Sequence, residues 1–536
     1  MTTHVPYLRS HAHGSHLVVD GMPFLIVGGQ VHNSSSSERR HFAAVLDRMV
    51  GLHANTVLAP VSWAQLEPSE GSFDFTLVDG LVAEARGRGL RLVLLWFGAF
   101  KNAASTYAPR WVRADRDRFP RAECTPESTA ANPFGRFAQA VLSVFSPDLL
   151  DADRRAFVAL LRHLAAMDTE HTVVMVQVEN EIGLLGDSRD RSAAAERVWA
   201  GQVPDELRAL QGVEGAGSWA EVFGTSPEAD ETFMAWHYAR HVEALASAGK
   251  AEKPLPMFVN AWLGPQTGQE RPGQYPSGGP VASRIDLWRA AAPSIDLAAP
   301  DVYLDGFEGV FADYDRPKNP LFVPESALHA ARPLVALGRH AALGFAFFGI
   351  DDVVQDGQVA AVYGALGALA DELPLAQAEG RVAAALLSPE RPEQEVELGD
   401  LRVTLRSTRT VLNRILLDVG VPAPPPPPVL PSETGSRGRP APGVLDPFGL
   451  LVLEDADTVV VVGLGLDLQF VRDGEELEVD EVTELLVEDG VLRPGRLLNG
   501  DERLEVLPMD AVGACRIRLL PGGPRMEPGP MREGRA

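Results

Sequence analysis

The sequence predicts an α/β chain, a TIM (β/α)8 barrel followed by a smaller C-terminal β-sandwich domain. Short apolar segments rich in β-branched residues recur between residues 24 and 350, helical patterns separate them, and the alternation stops near residue 385. Eight strand-helix units in one run favour a closed barrel over an open sheet. The expected divisions are 1–385 for the barrel, 386–420 for the start of the β-domain, 421–443 for a Pro-rich flexible segment, 444–521 for the sandwich and 522–536 for a tail.

The eight predicted strands read as near-continuous apolar runs, which is typical of strands buried on both faces of a parallel sheet. They are Phe24–Gly29, Asn55–Pro60, Leu90–Phe97, the run that starts at Val173, Pro256–Trp262, Ile295–Tyr303, Pro320–Glu325 and Ala342–Ile350. After Leu386 the pattern changes to a period of two over Glu395–Arg406, which predicts one half-buried antiparallel strand. Short strands then recur from Leu450 onwards, and these predict the sandwich.

Composition restricts the class of partner. The chain has 536 residues, 45% of them apolar, which is enough for two or three domains. A formal net charge of −25 argues against a nucleic-acid or anionic-membrane partner, because binding to phosphates requires clustered Lys and Arg. A neutral substrate fits this charge better. The oligomeric state stays open, with a homo-oligomer as one alternative.

The two cysteines, Cys124 and Cys515, predict free structural thiols. No Cys/His spacing suggests a metal site, so neither a metal nor another cofactor is expected. The N-terminal residues lack a charged start followed by an apolar core, and no apolar run approaches the roughly 20 residues that span a bilayer. These features predict a soluble, cytoplasmic protein.

The most informative stretch is Val173 to Gly186, which reads V-V-M-V-Q-V-E-N-E-I-G-L-L-G. A buried strand here ends in Glu179, Asn180 and Glu181. Two carboxylates and an amide at such a position are costly unless they are hydrogen-bonded or used in chemistry. Because active sites of β/α barrels lie at the carboxyl ends of the strands, this stretch predicts part of an active site.

Polar and aromatic side chains also stand at the ends of the other predicted strands. From the first strand to the seventh, the candidates are Gln30, Trp96, Asn180 with Glu181, Asn260 with Trp262, Tyr303 and Glu325. Carboxylates and amides bind sugar hydroxyls, and tryptophan rings stack on a pyranose. A glycosidic bond needs one protonated carboxyl and one ionised carboxylate, and their separation distinguishes retention from inversion. That separation cannot be read from the sequence.

At these residues the chain resembles a known family. V-Q-V-E-N-E-I-G resembles the acid/base motif of glycoside hydrolase family 35 β-galactosidases, within a larger clan of retaining TIM-barrel hydrolases. Asn55–Phe75 resembles the strand-two signature of such enzymes. Three other stretches resemble a bacterial branch that carries a C-terminal β-domain: Trp96–Asn102, Tyr107–Val112 and Leu255–Leu263. Leu497–Glu502 resembles part of that domain. The first strand departs from the family, because it ends G-G-Q-V-H-N where many members have His-Tyr.

The resemblance implies a role for each residue that matches the motifs. Glu181 would be the general acid/base, Asn180 would hold the sugar 2-hydroxyl, and Glu325 would be the nucleophile. Tyr303 would hydrogen-bond that nucleophile, while Glu179 would play a supporting part. Two interpretations stay open for four other residues, contact with a sugar or plain barrel packing: Gln30, Trp96, Asn260 and Trp262. The same two interpretations apply to Lys101 and Asn102, on the loop after the third strand.

The implied function is that of a retaining, exo-acting β-galactosidase that removes terminal β-D-galactose from oligosaccharides by double displacement. One alternative is a retaining β-glycosidase for another β-linked sugar, such as a β-glucoside or a β-glucosaminide. The other is a catalytically inactive carbohydrate-binding protein. Both carboxylates are present, which argues against the inactive form.

Overall fold

A computed structural model describes residues 4–131, 141–355, 357–422 and 446–521. The predicted Pro-rich segment, apart from residues 421 and 422, and the predicted tail lie outside these ranges. The chain divides into two compact units. The first comprises Met1–Leu328 and His340–Gln355, and the second comprises His329–Arg339 and Asp356–Ala536.

The first unit contains the predicted barrel of eight parallel strands. The strands are β4 (Ile26–Gln30), β5 (Thr56–Ser62), β6 (Arg91–Lys101), β7 (Val173–Asn180), β8 (Met257–Trp262), β9 (Leu297–Val302), β10 (Glu325–Ser326) and β11 (Gly344–Phe348). They pair in the order β10-β9-β8-β7-β6-β5-β4-β11. Just before β10, Val323 bridges to Phe345 of β11 in parallel. This bridge joins the two ends of the strand path, so the fold class predicted from the sequence is confirmed.

Helices follow or connect the barrel strands, as a parallel sheet requires. In the first unit they are α1 (Arg39–Gly51), α2 (Trp63–Leu66), α3 (Thr76–Arg86), α4 (Arg110–Ala114), α5 (Pro126–Ala131), α6 (Pro147–Met167), α7 (Ala193–Trp199), α8 (Asp205–Gln211), α9 (Trp219–Phe223), α10 (Pro227–Glu252), α11 (Ile285–Ala291) and α12 (Phe307–Tyr314). The two longest, α6 and α10, begin with a serine N-cap followed by proline, which is a favoured helix start.

A small antiparallel sheet precedes the barrel, and the sequence did not predict it. Its strands are β1 (Tyr7–His11), β2 (Gly14–Val19) and β3 (Met22–Phe24). Leu17 and Val19 of β2 join the apolar cluster formed by inward side chains of the barrel strands, such as Leu95, Phe258 and Phe322. The sheet therefore extends the barrel core instead of forming a separate one.

The second unit is an antiparallel β-domain. Its strands are β12 (Val382–Leu386), β13 (Glu393–Leu398), β14 (Leu401–Ser407), β15 (Phe448–Asp455), β16 (Thr458–Leu464), β17 (Leu466–Arg472), β18 (Glu475–Glu488), β19 (Val491–Leu497) and β20 (Gly513–Pro521). Its helices are α13 (Ala331–His340), which ends one residue beyond the unit's first segment, α14 (Gln358–Ala368), α15 (Leu373–Ala378) and α16 (Thr408–Asp418). One apolar cluster, with members from β12 to β20, forms the core of this unit.

One expectation for the β-domain needs correction. Glu395–Arg406 is not one strand, because the chain turns at Gly399, whose φ of +61° is easily adopted by glycine, and β13 and β14 form a hairpin. The nine strands are connected in one antiparallel path. Its end strands β12 and β13 come together where the Leu386 N–H donates to Gln394 Oε1 (3.3 Å). The sheet thus wraps around its own core.

None of the described helices is long and apolar enough to cross a membrane.

The junction of the first and last barrel strands leaves no room for a side chain at Gly344. A Cβ there would lie 2.4 Å from the backbone oxygen of Ile26, and a backbone atom of a paired strand cannot easily move away. We expect Gly344→Ala to lower the free energy of unfolding by about 1–3 kcal/mol, as overpacking does. Urea denaturation followed by circular dichroism measures this change.

Gly309 provides the matched control. It is exposed in α12, and a Cβ there would meet nothing within 4 Å. Gly309→Ala should therefore leave stability unchanged or raise it by up to about 1 kcal/mol through helix propensity. Equal unfolding midpoints for the two variants would show that the barrel junction is not tightly packed.

Candidate active site

The end of β7 places the central motif in a strained backbone conformation. Glu179 and Glu181 have φ values of +61° and +43°, in the left-handed region that non-glycine residues rarely adopt. Such residues cost about 1–3 kcal/mol each and persist only where the surroundings hold them. Two backbone hydrogen bonds hold them here, from Asn102 N to Asn180 O (3.0 Å) and from Ala103 N to Glu181 O (3.2 Å).

Three carboxyl groups meet at the carboxyl ends of the barrel strands. One oxygen from each of Glu181, Asp301 and Glu325 lies within 4.8 Å of the other two, and all three residues are buried. The strand register accounts for part of this arrangement, because Glu325 of β10 is paired directly with Asp301 of β9. The structure therefore brings together the two carboxylates predicted from β7 and β10, and adds a third.

The Glu325 carboxylate is held by two neutral donors. Gln30 Nε2 donates to Oε2 at 2.9 Å, and the Tyr303 hydroxyl donates to Oε1. Donors on both oxygens favour the ionised form of a carboxyl group. Burial, followed by the charge of Glu325, raises the pKa of Tyr303 well above its usual range, so its hydroxyl keeps the proton that it donates. Tyr303 thus makes the contact with Glu325 that the resemblance implied. Gln30, which was predicted as a sugar contact, also binds this carboxylate.

The Glu181 carboxyl group has the opposite environment. Burial, with a further contribution from the charge of Glu325, raises its pKa to about 8, while Lys101 and a hydrogen bond with Asp301 partly oppose this shift. Its backbone N–H donates to Asn260 Oδ1 at 2.9 Å. Glu181 is therefore protonated at neutral pH, as a general acid must be.

Lys101 is a buried cation beside this cluster. The third strand continues beyond its predicted end at Phe97 as far as Lys101, which pairs with Asn180 of β7. The Lys101 ammonium lies 4.9 Å from the centre of the Phe97 ring and donates to Asn102 Oδ1. Because it is only 5% exposed, its charge acts on the carboxyl groups with little screening by solvent.

Trp96 is not part of the site, which corrects the prediction that it contacts a sugar. Its side chain is completely buried, its indole N–H donates to Asp153 Oδ1 at 3.0 Å, and its ring packs against Phe157 of α6 at 5.7 Å. An indole that packs against a surrounding helix cannot stack on a ligand at the barrel mouth. The strand extension beyond Trp96 is the physical reason for this difference.

Glu179 belongs to a second buried cluster, formed with Asp153 of α6 and His241 of α10. Its carboxyl group accepts hydrogen bonds from the backbone N–H groups of Ala99 (3.2 Å) and Phe100 (2.7 Å). Burial, followed by the neighbouring Asp153, raises the pKa of Glu179 well above its usual range, which favours the protonated form of Glu179. Glu179 thereby connects the ends of β6 and β7. Its role is a supporting contact, and its carboxyl group does not lie beside that of Glu181.

Two further predicted residues lie at the mouth. Asn180 is buried, and neither its Oδ1 nor its Nδ2 has a hydrogen-bond partner among the described residues. An unpartnered buried amide costs about 1–3 kcal/mol, so its position next to Glu181 suits a ligand hydroxyl. Trp262 is half-buried and pairs with Asp301 in the β8–β9 register, and its indole N–H donates to Gln269 Oε1 at 3.1 Å.

Asp301 is the residue of this cluster that the sequence analysis did not select. It lies two residues before Tyr303, in A-P-D-V-Y, and therefore on the same face of the strand. That spacing was the available signal. Three oxygens within 4.8 Å could also surround a divalent cation, but both Glu325 oxygens and Asp301 Oδ2 already accept hydrogen bonds from neutral donors. The arrangement is therefore better suited to proton transfer than to holding a metal.

Comparison with known families gives two matches. A glycoside hydrolase family 42 model, described as β-galactosidase, matches residues 32–225. A model of a domain of unknown function, DUF5597, matches residues 359–509. No curated protein sequence matches the chain.

Solved structures that match have low identity. An exo-β-1,4-mannosidase from an Opitutaceae bacterium is 15% identical, with a TM-score of 0.36, and the match covers 61% of this chain and 52% of that one. A cold-adapted β-galactosidase from Rahnella is 16% identical, with a TM-score of 0.44 and coverage of 65% and 58%. A β-galactosidase from the psychrophilic Marinomonas is 13% identical, with a TM-score of 0.43 and coverage of 66% and 62%. The chain thus spans between about half and six-tenths of these proteins.

The family match and the barrel together support the class of a glycoside hydrolase, since residues 32–225 match the family 42 model. Within this class, the match indicates family 42 and does not support family 35 specifically, which the sequence motifs resembled. The Asn-Glu pair and the strand-seven Glu are features of the larger clan, so they do not separate its families. The departure of the first strand, G-G-Q-V-H-N, was the available sign of the difference.

The Glu179 cluster can be tested without changing a candidate catalytic group. In Glu179→Gln the amide oxygen can accept from Phe100 N and the amide NH2 can donate to Asp153, so we expect near-wild-type stability. In Glu179→Ala both contacts vanish and Asp153 stays buried, and we expect a loss of about 2–4 kcal/mol. Unfolding in urea measures both changes, and equal losses in the two variants would mean that the hydrogen bonds are unimportant.

Proposed function

We propose that the chain is a retaining, exo-acting β-galactosidase in which Glu181 is the general acid/base and Glu325 is the nucleophile. The observation that supports this most strongly is the meeting of these carboxyl groups, with oxygens within 4.8 Å, at the strand ends of a barrel. Inverting enzymes separate the two groups by about 6.5–9.5 Å to admit a water molecule, and retaining enzymes by about 5–5.5 Å. The spacing in this chain therefore favours retention.

The different environments of the two carboxyl groups support the assignment of roles. Glu325 accepts hydrogen bonds on both oxygens, which favours the ionised form needed for attack on the anomeric carbon. Glu181, whose pKa burial raises to about 8, holds the proton that the leaving oxygen needs. Surroundings that differ in this way distinguish the acid from the nucleophile of a carboxyl pair.

In the first step, a Glu325 oxygen forms a bond to the anomeric carbon while the glycosidic C–O bond breaks. The proton of Glu181 passes to the departing oxygen, which leaves as an alcohol. The Tyr303 hydroxyl donates a hydrogen bond to Glu325 Oε1 and thereby keeps the carboxylate of the nucleophile in a fixed orientation. A covalent glycosyl-enzyme and an ionised Glu181 result.

In the second step, Glu181 removes a proton from water, and the water oxygen attacks the anomeric carbon. The bond to Glu325 breaks, the carboxylate is regenerated, and two inversions give net retention. The unpartnered amide of Asn180 is placed to hold a sugar hydroxyl during both steps, and Trp262 at the end of β8 offers an apolar ring face to the same sugar.

The family 42 match, described as β-galactosidase, supports galactose as the sugar, and oligosaccharides are the proposed substrates. A panel of nitrophenyl β-glycosides tests this choice. We expect the highest kcat/KM for the β-galactoside, and NMR of the reaction should show β-galactose as the first product. A first product in the α form would refute retention, preference for the glucoside or glucosaminide would refute the substrate, and absence of turnover on all sugars would favour a binding protein.

Variants with added azide test the two roles separately. Glu325→Gly should lower kcat by roughly 10⁴-fold or more. Azide can then occupy the vacated space and should give the α-galactosyl azide, after a single inversion. Glu181→Ala should lower kcat/KM by about 10²- to 10⁴-fold and should give the β-galactosyl azide, because the glycosyl-enzyme still forms.

The configuration of the azide product identifies each role independently of rate. Exchange of the two products between the variants would mean that nucleophile and acid/base are assigned the wrong way round. Asp313→Asn, an exposed change in α12, serves as the control and should form no azide product.

A further inference from the structure

We propose that Asp301 is a positioning residue that remains a neutral carboxylic acid and donates a hydrogen bond to Glu181, which stabilises Glu181 when it has given up its proton. This inference rests on the proposed function and adds a third carboxyl group to it. Asp301 does not attack the sugar and does not transfer its own proton. It acts through Glu181.

The first support is the geometry of the amide that lies between the two residues. Asn260 Oδ1 accepts from the Glu181 backbone N–H at 2.9 Å, which identifies the other atom of that amide as the nitrogen. Asn260 Nδ2 therefore donates to Asp301 Oδ2 at 2.6 Å. One oxygen of Asp301 is thus an acceptor, and the carboxyl group is fixed in its orientation.

The second support is the remaining oxygen of Asp301. Oδ1 is buried and accepts no hydrogen bond from any donor among the described residues, while an oxygen of the Glu181 carboxyl group lies within 4.8 Å of an Asp301 oxygen. Two carboxylate oxygens repel each other unless a proton lies between them. A proton on Asp301 satisfies Oδ1 and supplies a hydrogen bond to Glu181.

The third support is the charge balance of the cluster. The groups that face Asp301 come from five elements, and they are Lys101 of β6, Glu181 after β7, Tyr303 after β9, Glu325 of β10 and Tyr314 of α12. Only one of these groups carries a positive charge, so three ionised carboxylates would leave uncompensated negative charge in a buried space. Glu325 has two donors for its charge, and Asp301 has one amide donor and lies only 3% exposed.

The pKa values agree with this division. Burial, then the charges of Glu325 and Glu181, raise the pKa of Asp301 well above its usual range. The hydrogen bond with Asp301 lowers the pKa of Glu181, which nevertheless stays raised to about 8 by burial. The raised pKa of Asp301 agrees with a neutral donor that is present in the glycosyl-enzyme, where Glu181 must be ionised.

Two variants separate a neutral Asp301 from an ionised one. Asp301→Ala removes the donor, so the ionised form of Glu181 is less stable. We expect kcat to fall by about 10- to 100-fold, the effect of one hydrogen bond to a charged group, and the alkaline limb of the pH–rate profile to move above its wild-type position near 8. Asp301→Asn resembles the neutral acid, with Oδ1 accepting from Asn260 and Nδ2 donating to Glu181.

We therefore expect Asp301→Asn to recover most of the kcat that Asp301→Ala loses and to keep the wild-type alkaline limb. If Asp301 were ionised, the asparagine would remove a negative charge, lower the pKa of Glu181 and move this limb to lower pH. That shift, or a kcat as low as that of Asp301→Ala, would overturn the proposal.

Infrared spectroscopy gives a readout that does not need turnover. At neutral pH, exposed carboxyl groups are ionised, so the carbonyl band of neutral carboxyl groups comes from buried ones. Asp301→Asn should reduce this band, and the exposed control Asp313→Asn should not. An unchanged band in Asp301→Asn would overturn the proposal. If the wild-type protein hydrolysed no glycoside, the proposed function would fail, while this measurement would still decide whether Asp301 is neutral.

Discussion

Repulsion between buried like charges is the constraint on which the site depends. Glu181, Asp301 and Glu325 lie with oxygens within 4.8 Å in a space that solvent barely reaches. Their negative charges cannot coexist there without compensation, so each carboxyl group needs its own partners. Gln30 and Tyr303 stabilise charge on Glu325, whereas burial keeps the proton on Glu181. The functional difference between two chemically identical side chains thus arises from what surrounds them.

The same constraint recurs one layer outward. Asp153 and Glu179 form a second buried carboxyl pair, between the barrel strands and helices α6 and α10, and burial raises the pKa of Glu179. A Cβ at Gly98 would lie 2.3 Å from Trp96 Nε1 and 2.6 Å from Glu179 Oε1, so only glycine leaves room for this pair. The pair holds the backbone at the ends of β6 and β7, where Glu179 and Glu181 have positive φ values. The contacts of this second pair therefore hold the backbone of the site in its strained conformation.

The sequence predicted the barrel well because its signal is local and repeated. Each parallel strand is buried on both faces and so reads as an apolar run, and helical spacing between the runs indicates the crossovers. The β-domain was harder, because the hairpin of β13 and β14 depends on a glycine turn within a continuous period-two pattern. Likewise, wrapping nine strands into one sheet depends on contacts between strands far apart in the chain, such as the one between Leu386 and Gln394.

The sequence by itself determined which strand ends carry polar groups, and thereby Glu181, Glu325, Asn260, Tyr303 and Gln30 as candidates. Only the tertiary structure decided which of the candidates meet. It removed Trp96, because β6 continues for five residues and leaves that indole packed against α6, and it added Asp301. The physical reason is that packing across the whole barrel sets the register between neighbouring strands. The same packing sets the direction of a side chain that follows a residue in the left-handed conformation. A local pattern of residues does not contain that information.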